Sequence, residues 1–321
     1  MSFHIVSIDS PQCSLTCRNG QLVRQAPGEP DKSLPIEDVA AIIITSFSAQ
    51  IHSHLFLEAA KHGVALIICE AFKPVSLVLP ANRSTDTLLS RALLKLEAKQ
   101  RARLWQATVD AKCRNQWVLA ERIAPGDPAL PGLRATAFGK KPHKEGICAK
   151  QFWQVFGRAM GDVEFARDRG SGGLNALLNY GYAVLLSTVL QKLFGVGLDP
   201  TFGISHVPRE RSTPLAYDLM EPFRPCVDWR VAQWVRRQGE GQKTNGESAD
   251  SKAERGNLKW EVTREFRQWV TAFPLDRVEY LDLELNVQSC IEGVVRGFRR
   301  AVLHGDLKHY RPWVSQPIQR A

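Results

Sequence analysis

Residues 64–96 read VALIICEAFKPVSLVLPANRSTDTLLSRALLKL, and the chain changes character inside them. The run at 64–69 is continuously apolar and rich in β-branched residues, as in a strand covered on both faces. Residues 75–79 supply one further short strand before Pro80, and 81–86 then read as a polar linker. From Thr87 the period switches: Leu89, Leu93 and Leu96 fall on one helix face, with Arg91, Lys95, Lys99, Arg101 and Arg103 on an exposed basic one.

Upstream, residues 3–8 and 13–17 are strand-like, and Asn19-Gly20 before 21–24 marks a tight hairpin turn. Residues 39–44 form a second continuous β-branched run. Between the two runs, 48–61 has helical spacing (Ile51, Leu55, Ala59) and stops at Gly63. Downstream, helix-forming residues continue to about Glu121, and 124–144, with four prolines, reads as an irregular loop. Further helical patterns begin near Glu145, Leu174, Pro214, Asp228, Leu258 and Val287. Residues 239–256 are polar and Gly-rich, as expected of a mobile surface insertion. The expectation is an α+β protein: a small N-terminal β-rich domain (1–80), a linker (81–86) and a larger all-α domain (87–321).

With 44% hydrophobic and 23% charged residues, the composition excludes global disorder. No basic stretch followed by a long apolar run opens the chain. The most apolar segment, residues 174–190, is shorter than a bilayer span and carries Asn175, Asn179 and Tyr182. Seven scattered cysteines without a C-x-x-C pair read as reduced thiols, so a cytoplasmic protein with no membrane association is expected. The net charge of +9 is unevenly spread: residues 1–80 hold five Lys/Arg against seven Asp/Glu, the remainder 37 against 26. Such one-sided basicity fits a polyanionic partner, with a generally basic, solvated surface as the plainer alternative.

Three segments carry candidate chemistry. Glu145 precedes Cys148, Phe152 and Phe156 on the inward face of a helix, where a carboxylate needs a cation or donors; a first-turn carboxylate favoured by the helix dipole is the alternative. Asn175, Asn179 and Tyr182 form a polar stripe at i, i+4, i+7 on an otherwise apolar helix, preceded by Arg167, Arg169 and a Gly-rich run suited to an anion or to a simple turn. Finally, His206 is followed by Asp218 and Glu221 at i, i+3, with Pro222 imposing a kink or helix end beside Glu221. One imidazole with two or three carboxylates suits magnesium or manganese better than structural zinc. Singly, each of these residues also reads as ordinary surface.

Taken in order, these segments resemble the CRISPR adaptation integrase family. The resemblance runs along most of the chain: residues 65–69, then Leu104-Trp105-Gln106 ahead of Val109, Lys112, Asn115 and Gln116. Next come Glu145-Gly146, Asn175 with Asn179-Tyr180-Gly181-Tyr182, residues 197–200 leading to His206, and the run from Asp218 through Glu221 and Arg224 to Pro225. The resemblance implies an endonuclease/integrase that joins prespacer 3′-hydroxyl ends to the repeat of a CRISPR array. It implies Mg2+ or Mn2+ held by Glu145, His206 and Glu221, with Asp218 as alternate or outer carboxylate. Glutamate at 221 points to a type II-like branch, from whose compact pattern the 239–256 insertion departs. Asn179 and Tyr182 are expected to support the metal, and Arg224, Arg167 and Arg169 to contact DNA. The implied partners are double-stranded DNA, a second copy of the chain, and a small ferredoxin-like protein in a heterohexamer. Two other readings stay open on the residues alone: a basic DNA-binding scaffold with a degenerate metal site, and a hydrolase of small phosphoesters.

Overall fold

The computed structural model describes residues 4–70, 73–78, 87–140, 144–168, 170–207, 212–244 and 260–316. Eight strands come first: β1 (His4–Ile8), β2 (Ser14–Arg18), β3 (Gln21–Gln25), β4 (Lys32–Pro35), β5 (Val39–Ile44), β6 (Gln50–Ile51), β7 (Ala65–Glu70) and β8 (Lys73–Val78). Helix α1 (Ser53–Lys61) lies between β6 and β7. They form two four-stranded sheets, ordered β1-β5-β7-β8 and β4-β3-β2-β6. In the first sheet β1, β5 and β7 run parallel and β8 antiparallel. Asn19 and Gly20 both take positive φ at the β2–β3 turn, the conformation that Asn-Gly favours.

The unbroken apolar runs of β5 and β7 follow from their position. Ile42, Ile44 and Leu66 point into a core with Leu15, Leu22 and Leu55. Ile43, Ile67 and Cys69 point the other way, into the core built by the helices. A strand apolar on both faces needs two partners, and here it has them.

The remainder is mostly helical: α2 (Thr87–Leu94), α3 (Ala98–Ile123), α4 (Leu130–Phe138), α5 (Lys144–Ala159), α6 (Leu174–Gly195), α7 (Pro214–Met220), α8 (Arg224–Thr244), α9 (Arg264–Thr271) and α10 (Val287–His304). One hairpin, β9 (Arg277–Tyr280) and β10 (Leu283–Asn286), interrupts them. Helix α6 is the central post, packed against β5, β7, α7, α8, α9 and α10. Its hydrophobicity all round is therefore that of a core helix, and no described helix is long and apolar enough to cross a membrane. Polar links reinforce the junction: the Ser7 and Tyr180 hydroxyls pair, and Arg267 meets Asp9 at 2.8 Å.

Several boundaries differ from the sequence expectation. The stretch at 124–144 is not a loop throughout, because it contains α4; Pro131 sits in that helix's first turn, where a missing N–H costs nothing, and Gly139 follows its end. The single helix expected over 87–121 is two, since Glu97 and Gln100 form a capping box that restarts the chain as α3. Arg101, expected on an exposed basic face, turns inward to the carbonyls of Leu93, Leu96 and Gly203. The domain expected to be all-α carries the β9–β10 hairpin, whose turn uses Leu281 and Asp282 at positive φ without a glycine to announce it. Helix α8 continues through residues 239–244; residues 245–256 of the expected insertion and the 81–86 linker lie outside the described residues.

Close approach is required at Gly181, where an added Cβ would stand 2.4 Å from Val227 Cγ1 on α8 and 3.3 Å from Val270 Cγ2 on α9. Overpacking there costs roughly 1–3 kcal/mol against a helix-propensity gain of about 1 kcal/mol. Gly181→Ala is therefore expected to lower stability in urea denaturation; a variant as stable as wild type would show that the helices have room to spare.

Candidate metal centre

The site begins with a carboxylate that folds a turn. Asp218, on α7, is fully buried. Its Oδ2 accepts from the Ile204 and Ser205 amides (2.6 and 3.2 Å), and its Oδ1 from the His206 amide and His206 Nδ1 (3.1 and 2.7 Å). Four donors from one short turn leave Asp218 committed to that turn rather than free to hold an ion. Gly203 admits the arrangement: a Cβ there would meet the His206 carbonyl at 2.6 Å and Pro214 Cβ at 2.7 Å. Arg101 Nη1 grips the Gly203 carbonyl from α3 at 2.6 Å.

His206 is thereby set in one orientation. Its Nδ1–H donates to Asp218, so Nε2 presents a lone pair, the usual arrangement of a carboxylate behind a metal-binding histidine. The Asp218 carboxylate raises the His206 pKa above its ordinary value, outweighing burial. The Trp105 ring lies edge-on at 5.7 Å and Tyr217 at 6.0 Å.

Glu221 begins the 3-10 turn Glu221–Phe223 between α7 and α8, where Pro222 and Pro225 have no N–H to continue a helix. The side chain is 8% exposed. Burial alone would push its carboxyl up, yet Arg224 and Lys112 hold it down at about 2. Lys112 Nζ, on α3, stands 2.6 Å from Glu221 Oε2 and 2.7 Å from Glu145 Oε1, in the first turn of α5. Burial disfavours the Lys112 ammonium, but Glu221 and Glu145 outweigh it and raise its pKa. Two carboxylates from distant segments thus converge on one cation.

The polar stripe of α6 lies behind this point. Arg224 Nη1 contacts Glu221 Oε1 and Oε2 (3.0 and 3.3 Å), and its guanidinium covers the Tyr182 ring at 4.3 Å. The Tyr182 hydroxyl donates to buried Asp228. Burial lifts the Asp228 carboxyl to about 7 despite the Tyr182 hydroxyl and the nearby Arg224 and Arg167. Arg167 donates to Asn175 Oδ1 and Asn179 Oδ1 at 2.8 and 2.6 Å. Tyr182 therefore reaches Glu221 through Arg224, while Asn179 serves Arg167. Two of the three arginines expected on DNA, Arg224 and Arg167, turn inward to carboxylate and amide acceptors. In the Gly-rich run preceding α6, the Asp168 carboxylate takes the Gly170 amide and the Ser171 hydroxyl. Arg169 lies outside the described residues.

The structure brings Glu145 and Glu221 together around Lys112. His206 is near enough for both carboxylates to act on it electrostatically. Among the described residues, no three His, Cys, Asp or Glu side chains close on one point as they stand. The donor set fits a hard divalent cation once the ammonium yields its place. Sequence reasoning gave no role to Lys112, Asp228 or Gly203, because the burial that singles out Lys112 is a property of the assembled fold.

The fold defines a class, a β-rich region joined to a mostly helical remainder, shared with a casposase bound to integration product (TM-score 0.76, 20% identity, 99% of this chain and 96% of that one). It is also shared with a Cas6-RT-Cas1–Cas2 complex (TM-score 0.69, 14% identity, 96% of this chain and 36% of that one). The family model described as CRISPR associated protein Cas1 matches residues 6–138 and 142–268, and the chain belongs to that family. It is 27% identical over 299 residues to the CRISPR-associated endonuclease Cas1 of Neisseria meningitidis serogroup C, spanning 92% of this chain and 91% of that protein.

A raised His206 pKa means that the His206–Asp218 pair stabilises the fold fully below the ordinary histidine value of about 6.5 and loses that contribution as pH rises through the folded value. Asp218→Asn is expected to lower the His206 pKa, read from the pH dependence of its ring signals by NMR. An unmoved titration would separate Asp218 from any orienting role.

Proposed function

We propose that this chain is a divalent-metal-dependent DNA endonuclease/integrase of CRISPR adaptation, joining prespacer 3′-hydroxyl ends to the repeat of a CRISPR array by transesterification. The observation that carries the reading is the convergence of Glu145 and Glu221 on one cation position, beside a histidine already oriented by Asp218. Glu145, His206 and Glu221 would hold Mg2+ or Mn2+, which when bound supplies Lewis-acid stabilisation of the phosphodiester and the leaving oxygen. Asp218 keeps the His206 proton on Nδ1. Arg224 and Lys112 keep Glu221 ionised, and the Trp105 and Tyr217 rings fix the imidazole plane. Since the attacking hydroxyl belongs to DNA, no protein nucleophile is needed; positioning and charge stabilisation suffice.

Support for the partners comes from the basic balance after residue 80 and from fold neighbours, one a casposase bound to integration product and one in a complex with Cas2. On this reading two copies pair, and two such dimers flank a small ferredoxin-like partner, with double-stranded prespacer and repeat DNA bound across them. The division into a 1–80 dimerisation domain and an 87–321 catalytic domain belongs to the same proposal. Glutamate at 221 supports a type II-like branch, and the free thiols support a cytoplasmic setting. The same pair of contacts favours a second reading, a DNA-binding scaffold in which Lys112 replaces the ion outright.

Half-site integration of a labelled duplex into a supercoiled plasmid bearing a repeat array separates the two. With Mn2+ and the small partner present, wild type is expected to join strands. His206→Ala and Glu145→Gln should fall by roughly two orders of magnitude or more, the scale of lost electrostatic stabilisation, while still binding duplex DNA. No joining by wild type under these conditions would leave the scaffold.

A further inference from the structure

Lys112 sits where a resident cation is needed, and its surroundings say what removing it would do. The side chain is 8% exposed and comes from the middle of α3, whose neighbouring residues Thr108, Val109, Ala111, Cys113 and Asn115 are buried. Its ammonium contacts Glu145 and Glu221, and Arg224 contacts Glu221 from the other side. Two carboxylates and two cations make this cluster neutral before any ion enters. Glu221, Lys112 and Arg224 are enclosed while Glu145 is 34% exposed; without Lys112 the two carboxylates would face Arg224 alone, leaving one unit of negative charge uncompensated.

A dication on these carboxylates changes the sum to +2 in surroundings that screen poorly. Among the described residues of the cluster, the other nearby carboxylates are already engaged: Asp218 is held by four donors, and Asp228 is tied to Tyr182 behind Arg224. Neutrality returns only when an anionic group arrives from outside, and the phosphodiesters of two DNA strands would bring the required charge.

We infer that Lys112 is a built-in counter-cation that makes divalent-metal loading depend on a DNA phosphate already being in the site. The inference rests on the metal-dependent reading above and adds a regulation to it. Metal and DNA bind with positive coupling, and each raises the affinity of the other by the same factor. The chain alone is then a poor nuclease at ordinary metal concentrations, and the charge that completes the site comes with the substrate. Lys112 is a positioning and charge-setting residue here, since it acts on the ion through Glu145 and Glu221.

The test is Mn2+ affinity, read from the electron paramagnetic resonance signal of free Mn2+. Wild type, Lys112→Met, Lys112→Arg and Glu145→Gln are each titrated alone and with a duplex ending in dideoxynucleotides, which binds but cannot react. Wild type is expected to bind Mn2+ weakly alone and more tightly with duplex. Lys112→Met should bind Mn2+ alone tighter than wild type by roughly tenfold or more, from the removal of one unit charge at contact distance, and gain little from duplex. Lys112→Arg should follow wild type. In EDTA, Lys112→Met should melt below wild type and recover more on adding Mn2+. Should Lys112→Met not fold in EDTA, Lys112→Gln, which keeps a donor, replaces it; folding restored by Mn2+ supports the inference, and failure of both variants to fold with Mn2+ makes Lys112 structural only and overturns it. Lys112→Met binding Mn2+ no tighter than wild type, or wild-type affinity indifferent to duplex, also overturns it. If Glu145→Gln binds Mn2+ as wild type does, the metal centre itself is misplaced, whatever Lys112 does.

Discussion

The burial of Glu221 constrains everything around it. A carboxylate so enclosed stays ionised only where cations reach it; one comes from across the fold, Lys112 on α3, and the other, Arg224, stands three residues further along the chain at the start of α8. Arg224 must leave the helix just beyond the kink, and Pro222 and Pro225 provide that kink by refusing the helical hydrogen bonds. The kink in turn frees the Pro222 carbonyl, which Asn115 satisfies from α3. The same Asn115 side chain donates to the Trp313 carbonyl and accepts from the Ser315 amide, while the Trp313 ring stacks on Phe223. The C-terminal tail is therefore laid across the back of the Glu221 turn. One ionised carboxylate ties α3, the α7–α8 junction and the tail into a single unit.

His206 is positioned by a different device with the same logic. Its segment has little regular structure, with Ile204 buried and Ser205 and His206 exposed, and a cluster of successive amides is held together by a shared acceptor. Asp218 accepts three of them together with the imidazole, so the turn and the ring are fixed by one side chain. Residues far apart in the chain converge because α6 holds the surrounding elements in place, and α7 and α8 pack directly on it. Gly181 and Gly203 are two points of close approach in that packing.

How much of this was legible follows from what a sequence displays. Periodicity shows which face is apolar, so β5, β7, the Asn19-Gly20 turn and the core helix α6 could be read directly. The change from strands to helices between 64 and 96 could be read as well, because Val75 to Leu89 crosses a switch from period two to period 3.6. Elements stabilised by tertiary pairing were invisible: β4 and β6 are short and polar, and β9–β10 turns on Leu281 and Asp282. In the site, residue types pointed to Glu145, His206 and Glu221, yet the sequence could not say where long side chains end. Arg224 and Arg167, expected on DNA, turn toward inner acceptors, and nothing in the sequence marked Lys112 as buried. A flexible basic chain goes to the strongest available acceptor, and that acceptor is a property of the assembled fold.

The charge balance is better understood in the same terms. Several buried or half-buried cations are matched by carboxylates: Lys144 by Asp110, Arg230 by Asp276, Arg267 by Asp9 and Lys112 by its two glutamates. A matched pair adds nothing to the total, so the net charge of +9 is not produced by these inner contacts. Arg101 and Arg167 are different, because their acceptors are neutral carbonyls and amides, and they carry a little of the excess inside. The excess therefore belongs to residues 81–321, since residues 1–80 hold more acidic than basic side chains. On the proposed function, a polyanion would be drawn toward the helical part by charge outside the Lys112 cluster. The inner cluster of Lys112, Arg224, Glu145 and Glu221, neutral by its own pairing, would then respond to the phosphate that such a field delivers.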